Sequence, residues 1–156
     1  PMYRPNTFLA CACLLLAACT PVGQSLLAPD ASLSPVEVAK SFFQAALETK
    51  AADQEEASLA AKRIGAVYLQ PLEANREMML KGLASMIMDF NSLREREAQW
   101  TLSKASEIEQ EGDTALAMIG LSFVETLPDG SIKEGVRYLT VQLLQTPQGW
   151  RIALVN

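Results

Sequence analysis

The chain has 156 residues, with 13 Lys and Arg against 18 Asp and Glu, no histidine, and a net charge of −5. Its length suits one domain with one core, and so acidic a balance argues against nucleic acid as a partner and against a polybasic hold on anionic lipid. Without histidine there is no Ser-His-Asp or Cys-His catalysis and no histidine-bearing zinc site.

In chain order the first feature is an apolar run from Phe8 to Leu16, preceded by the single positive charge Arg4, the pattern of a secretion-signal core. Up to Cys19, with Pro21 just beyond, it is too short for a spanning helix, which needs about 17 to 25 apolar residues. Leu16-Ala17-Ala18-Cys19 resembles a bacterial lipobox. The resemblance implies that residues 1–18 are a lipoprotein signal peptide, cut before Cys19, and that the Cys19 thiol carries the lipid. Cys11 and Cys13 lack the Leu-small-small prefix and leave with the peptide, so residues 19–156 keep no free thiol and make no disulfide within one chain. The membrane contact then comes from the acyl chains. Thr20, not aspartate, follows the cysteine, which implies the outer membrane, facing the periplasm, in a two-membrane cell envelope.

Residues 19–33 are expected to be the lipidated cysteine and its tether, because Thr20 to Leu33 is rich in Pro, Ser, Ala and Gly without a sustained period; Leu26 and Leu27 are its apolar exception. Residues 34–156 read as a single domain. Ser34-Pro35-Val36-Glu37 is a capping box with proline at the first helical position, and Ala39, Phe42, Phe43, Ala46 and Leu47 form the apolar stripe of the helix it opens. A second helix starts at Asp53, carries Ala57, Ala60, Ile64, Val67 and Tyr68 on one stripe, and ends before Pro71. A third places Met79, Leu83, Met86, Ile87 and Phe90 on one face and ends near Asn91 and Ser92. Gly82 inside it suggests a close helix contact, and Arg94 to Glu97 reads as a solvated charged link.

Strands follow. Trp100 to Glu109 is the first, Gly112-Asp113 turns, and Thr114 to Glu125 alternates through Ala115, Ala117, Ile119, Leu121 and Phe123. Pro128-Asp129-Gly130 closes that hairpin, Ile132 to Gln145 is a long third strand, and Trp150, Ile152 and Leu154 alternate along a short fourth. Helices first and a four-stranded meander afterwards make an α+β fold, N-terminal helices on one face of a curved antiparallel sheet.

Ser34-Pro35-x-Glu37 leading to Phe42-Phe43, then Glu111-Gly112-Asp113-Thr114-Ala115, Asp129-Gly130 and Gly149-Trp150-Arg151-Ile152 resemble the nuclear transport factor 2-like (SnoaL-like cone) superfamily. More narrowly, they resemble its small bacterial lipoproteins with a domain of unknown function. The resemblance covers Ser34 to Asn156 and departs in a longer helical region, Asp53 to Ser92. It implies a cone whose pocket Tyr68, Trp100, Phe123, Tyr138 and Trp150 would line; at strand spacing, aromatics also serve as plain core. Relatives of this shape that catalyse use an acid/base pair. Here that would fall to carboxylates, for which Glu107, Glu125, Glu134 and Asp89 are candidates, each more simply read as solvated surface charge. Met78, Met79, Met86 and Met88 invite a copper reading, but 86 and 88 diverge by about 200° around a helix, and gap-filling core is the better account.

The sequence thus supplies an address and a fold without a reactive group, and no cofactor or metal is expected. The expected function is a non-catalytic module, anchored in the envelope, for protein interaction or assembly. The alternatives are a small apolar-ligand binder using the cone and a carboxylate enzyme of the isomerase or dehydratase type. Expected partners are the membrane, through the lipid on Cys19, and an envelope protein; a homodimer is compatible with the sequence.

Overall fold

The computed structural model describes residues 28–95 and 98–156. The expected signal peptide, Cys19, Leu26, Leu27 and two residues of the expected charged link, 96 and 97, lie outside the described residues.

Helix α1, Pro35–Glu48, begins as its capping box requires: Ser34 Oγ accepts from the Glu37 amide at 3.4 Å, and Glu37 Oε2 accepts from the Ser34 amide at 2.8 Å. Two otherwise orphaned donors are thereby satisfied reciprocally. Helix α2, Gln54–Tyr68, is capped by Asp53, whose Oδ1 accepts from the Glu56 amide at 2.9 Å. Helix α3, Glu73–Glu95, packs against α2 where Gly65 lets it approach; a Cβ there would stand 2.7 Å from Leu80 Cδ2. Gly82, to which the sequence assigned the close contact, has open space around its Cα.

Helix α3 also runs past the predicted stop at Asn91 and Ser92. Asn91 does not break the helix, because its side chain bonds inward: Nδ2 donates to Ile87 O at 2.7 Å and Thr49 O at 3.1 Å, and Oδ1 accepts from the Ala51 amide at 3.3 Å. One turn later Arg94 Nη2 donates to Leu47 O and Thr49 O, both at 2.8 Å. Arg94 therefore closes the carbonyl end of α1, where unpaired acceptors and the helix dipole favour a cation, and is not part of a solvated link.

The sheet is a meander in the order β1 (Gln99–Glu111), β2 (Thr114–Thr126), β3 (Ile132–Thr146), β4 (Gly149–Val155), every pair antiparallel, with the helices on one face. Odd positions of β2 and of the facing half of β3 point inward: Ala117, Ile119, Leu121, Leu139, Val141 and Leu143 are all buried against Val38, Phe43, Ile64 and Ile87. Alternation with period two puts the even positions on the outer face.

The three pairings differ in regularity. The β2–β3 ladder runs unbroken from Thr114↔Leu144 to Thr126↔Ile132, whereas β1 slips register between Leu102 and Lys104 and again between Glu107 and Glu109. β4 matches β3 only along Val141–Thr146, and beyond it Asn156 exchanges both backbone bonds with Thr140 at 2.9 Å. The far side of β4 is touched by the chain after α2, through a Leu69↔Ile152 bridge and the Gln70 amide on Ile152 O at 2.7 Å.

Gly149, in the β3–β4 turn, has φ of +102°, and a Cβ there would lie 2.9 Å from Ala31 Cα. Both facts demand glycine, and together they place the entering chain against this turn. The last part of the expected tether is accordingly ordered on the domain: Asp30 Oδ1 accepts from the Ser32 amide at 2.8 Å, and Leu33 packs on the core.

Candidate functional site

The inner face of the sheet is filled. Phe42 and Phe43 meet edge-to-face with ring centres 5.0 Å apart, Phe42 reaches Tyr68 at 5.9 Å, and Phe90, Trp100 and Phe123 form a second chain of rings with spacings of 5.9 and 4.8 Å. Of the five residues expected to line a pocket, Trp100 and Phe123 form a ring pair, and Tyr68 and Trp100 each line a groove beside α1. Tyr68 lies in the other ring group, where burial pushes its hydroxyl pKa up against the opposing pull of Arg151. Trp150 is core, and Tyr138 stands on the outer face, 60 % exposed. Tyr138 is misassigned as a lining residue because strand parity decides the face: Tyr138 pairs with Gly120, an even position of β2.

Two grooves flank α1. One, of about 540 Å³, is lined by Lys40, Gln44, Glu48, Tyr68 and Leu102 among others; the next, of about 330 Å³, by Leu47, Glu48, Trp100 and Thr101. Trp100 Nε1 is buried with no hydrogen-bond partner among the described residues.

The carboxylates do not gather. Glu107 and Asp89 are exposed on β1 and α3, Glu134 is exposed on the outer face of β3, and Glu125 sits inward at the end of β2. Glu125 is only 7 % exposed, so its reading as solvated charge is corrected. The alternation that buries Ala115 through Phe123 carries Glu125 to the same face. Met78 is exposed, while Met79 is core and Met86 and Met88 pack against it, and no cluster of potential metal ligands occurs among the described residues. Sequence reasoning missed Arg151, 8 % exposed, whose Nη1 donates to Trp150 O at 2.7 Å. It is buried beside the Leu69 bridge, a contact between residues far apart in sequence.

On the outer face the picture reverses. Val124, Ile132, Val136 and Tyr138 are 51 to 64 % exposed, and register puts Val124 opposite Glu134, one row from Val136. Three of the four are alternate residues of β3 beyond the reach of β4. Exposed apolar side chains are ordinary singly and informative when contiguous. Two cross-strand pairs shape the region: the Tyr138 ring lies over Gly120 on the outer face, and the Phe123 ring over Gly135 on the inner.

No family model matches the chain, and no curated protein matches it. Solved structures similar to it include nuclear transport factor 2-like and cystatin-like folds. A nuclear transport factor 2-like protein with a cystatin-like fold from Novosphingobium aromaticivorans is 15 % identical over 77 % of this chain and 75 % of its own, with a TM-score of 0.47. An uncharacterized protein with a cystatin-like fold from Caulobacter vibrioides is 14 % identical over 78 % and 86 %, TM-score 0.48. A protein of unknown function with that fold from Nostoc punctiforme is 18 % identical over 76 % and 83 %, TM-score 0.45.

Proposed function

We propose that this chain is an envelope protein anchored through lipid on Cys19 whose α+β domain works by binding another protein, without catalysis. The observation that supports binding is the row Ile132, Val136 and Tyr138, with Val124 beside it, on the outer face of the sheet. Aromatic and aliphatic side chains held there by a regular ladder offer area that a partner can dehydrate. The anchor rests on the Leu16-Ala17-Ala18-Cys19 sequence. Fatty-acid labelling of the chain and of Cys19→Ser tests it, with label expected on the first alone. Photo-crosslinking from position 136 or 138 in intact cells, against position 107 as control, tests the binding role; adducts from neither 136 nor 138 would sink it.

A second reading, a small apolar ligand bearing one acceptor, is favoured by Trp100, which lines the groove at the end of α1 while its Nε1 stays unpartnered. A buried donor without an acceptor costs about 1 to 3 kcal/mol. Binding of such a ligand would quench Trp100 fluorescence and be lost in Trp100→Phe.

A further inference from the structure

Among the described residues no strand pairs with β3 below Thr140 on the side away from β2. In an antiparallel ladder each residue directs its N–H and C=O to one side, and the sides alternate. Thr140 gives both groups to Asn156 on the β4 side, while Gln145 turns its N–H the other way, to Asp113 O at 2.8 Å. Because the β2–β3 register has no slip from residue 144 to residue 132, the alternation carries down the strand. Ile132, Glu134, Val136 and Tyr138 therefore aim their N–H and C=O groups away from β2, to the side that β4 does not cover.

We propose that Ile132–Tyr138 is a docking edge, which takes an extended segment of another protein as an added strand in line with β4. The proposal deepens the binding role above and rests on it. Main-chain bonds would supply affinity, and alternate side chains the choice of partner. On the outer face an incoming strand meets Ile132, Val136 and Tyr138, which call for apolar residues. On the inner face it meets Arg137, exposed and cationic, and Lys133, which pairs with Glu125 across β2 and reaches over the Phe123 ring at 6.0 Å, with Gly135 between them. The segment that fits alternates apolar side chains with acidic ones.

Charge and the end of β4 together disfavour a second copy of this chain. If the edge pairs with itself so that all four even residues bond, Lys133 falls opposite Arg137 of the other copy; slipped by one hydrogen-bonding step one way, Glu134 faces Glu134, and slipped the other way no like charges meet but Ile132 is brought against Thr140, whose backbone groups Asn156 already holds. Like charges directly opposite are destabilising. A strand with acids opposite 133 and 137 and a base opposite 134 has no such conflict.

The test uses the isotope-labelled full chain in mild detergent and the peptide Val-Glu-Val-Thr-Lys-Glu-Ile, which meets these demands in antiparallel register. Saturable amide shifts are expected at Ile132, Glu134, Val136 and Tyr138 with half-saturation near or below about 1 mM, since a short peptide must also be ordered. Methylating the peptide's alternate amide nitrogens should weaken binding at least about tenfold, because it removes donors and leaves the side chains. Val136→Pro should do the same, since it deletes only an N–H that faces the open side. Reversing both cations, Lys133→Glu with Arg137→Glu, should switch preference to a peptide with lysines in place of the glutamates, and it keeps the test decisive should the proline variant unfold. The proposal is overturned if these amides do not saturate, if the methylated peptide binds equally well, or if the edge is filled instead by a second copy. A partner that crosslinks from 136 or 138 while no peptide binds would leave the binding function standing and remove the edge.

Discussion

The two long margins of this sheet are built differently. β1, the first margin, is broken by register shifts at 102/104 and 107/109 and carries Lys104, Glu107, Glu109 and Glu111. Bulges and charges of this kind are how natural sheets keep an edge from pairing with whatever strand comes near. The second margin, β3 below Thr140, has no bulge and exposes Ile132, Val136 and Tyr138. Both margins carry charge, so what separates them is regularity: one is kinked by bulges, while the other keeps an unbroken ladder with a row of apolar side chains on its outer face between Lys133, Glu134 and Arg137.

Substitutions can separate what holds these margins together from what they present. The largest effect is expected at Gly135→Ala, whose Cβ would fall 2.3 Å from Phe123 Cε1. Displacing a ring held against Trp100 should cost about 2 to 3 kcal/mol in a denaturant melt. Gly120→Ala, beside β1, meets Tyr138 Cε1 at 3.1 Å and Lys104 Cβ at 3.2 Å. The Tyr138 ring can turn aside and Lys104 Cβ needs only a few tenths of an ångström of backbone shift, so about 1 kcal/mol is expected; equal losses would mean that Phe123 yields as easily as Tyr138.

Hydrogen exchange should then show a period of two along β3. Amides of Gly135 and Arg137, bonded to β2, should exchange at least about tenfold more slowly than those of Glu134, Val136 and Tyr138. Uniform protection from 132 to 138 would show the edge to be covered. Val136→Lys, by contrast, should leave stability within about 0.5 kcal/mol while abolishing partner crosslinks, since lysine on an edge opposes strand addition.

The smallest effect lies away from both margins and checks that they are not reporting a general weakening. The Ser34 amide and hydroxyl, donating to Glu37, hold its carboxyl below the usual carboxylate pKa. A lowered folded-state pKa adds stability that is present above the ordinary carboxylate range and fades as pH falls through it. Glu37→Gln should flatten that acid-side slope by lowering the melting midpoint slightly at neutral pH while leaving it unchanged at acid pH.

Most of the architecture was legible in the chain because the signals are local: a capping box at Ser34, an aspartate cap at Asp53, period-two alternation in β2 and glycines at the turns. What escaped depends on distant partners. Asn91 and Ser92 carry the marks of a helix end, yet Asn91 and Arg94 find the carbonyls of α1 and the helix continues. Tyr138 reads as a pocket residue because an aromatic on a strand does not announce its face until the register with Gly120 is known. The open edge did leave a trace: a third strand of about fourteen residues beside a fourth of about five must leave part of its length unmatched. Which backbone groups that frees follows only from the slip-free β2–β3 pairing.

The contact between Ala31 and Gly149 sets the domain's attitude. The leading segment joins the body at the β3–β4 turn, and from Thr146 back to Val136 is ten residues of strand, about 33 Å at ~3.3 Å per residue. Whatever precedes residue 28 therefore meets the domain at one tip of the sheet, like a flag at its hoist, and the unbroken edge of β3 lies toward the opposite end.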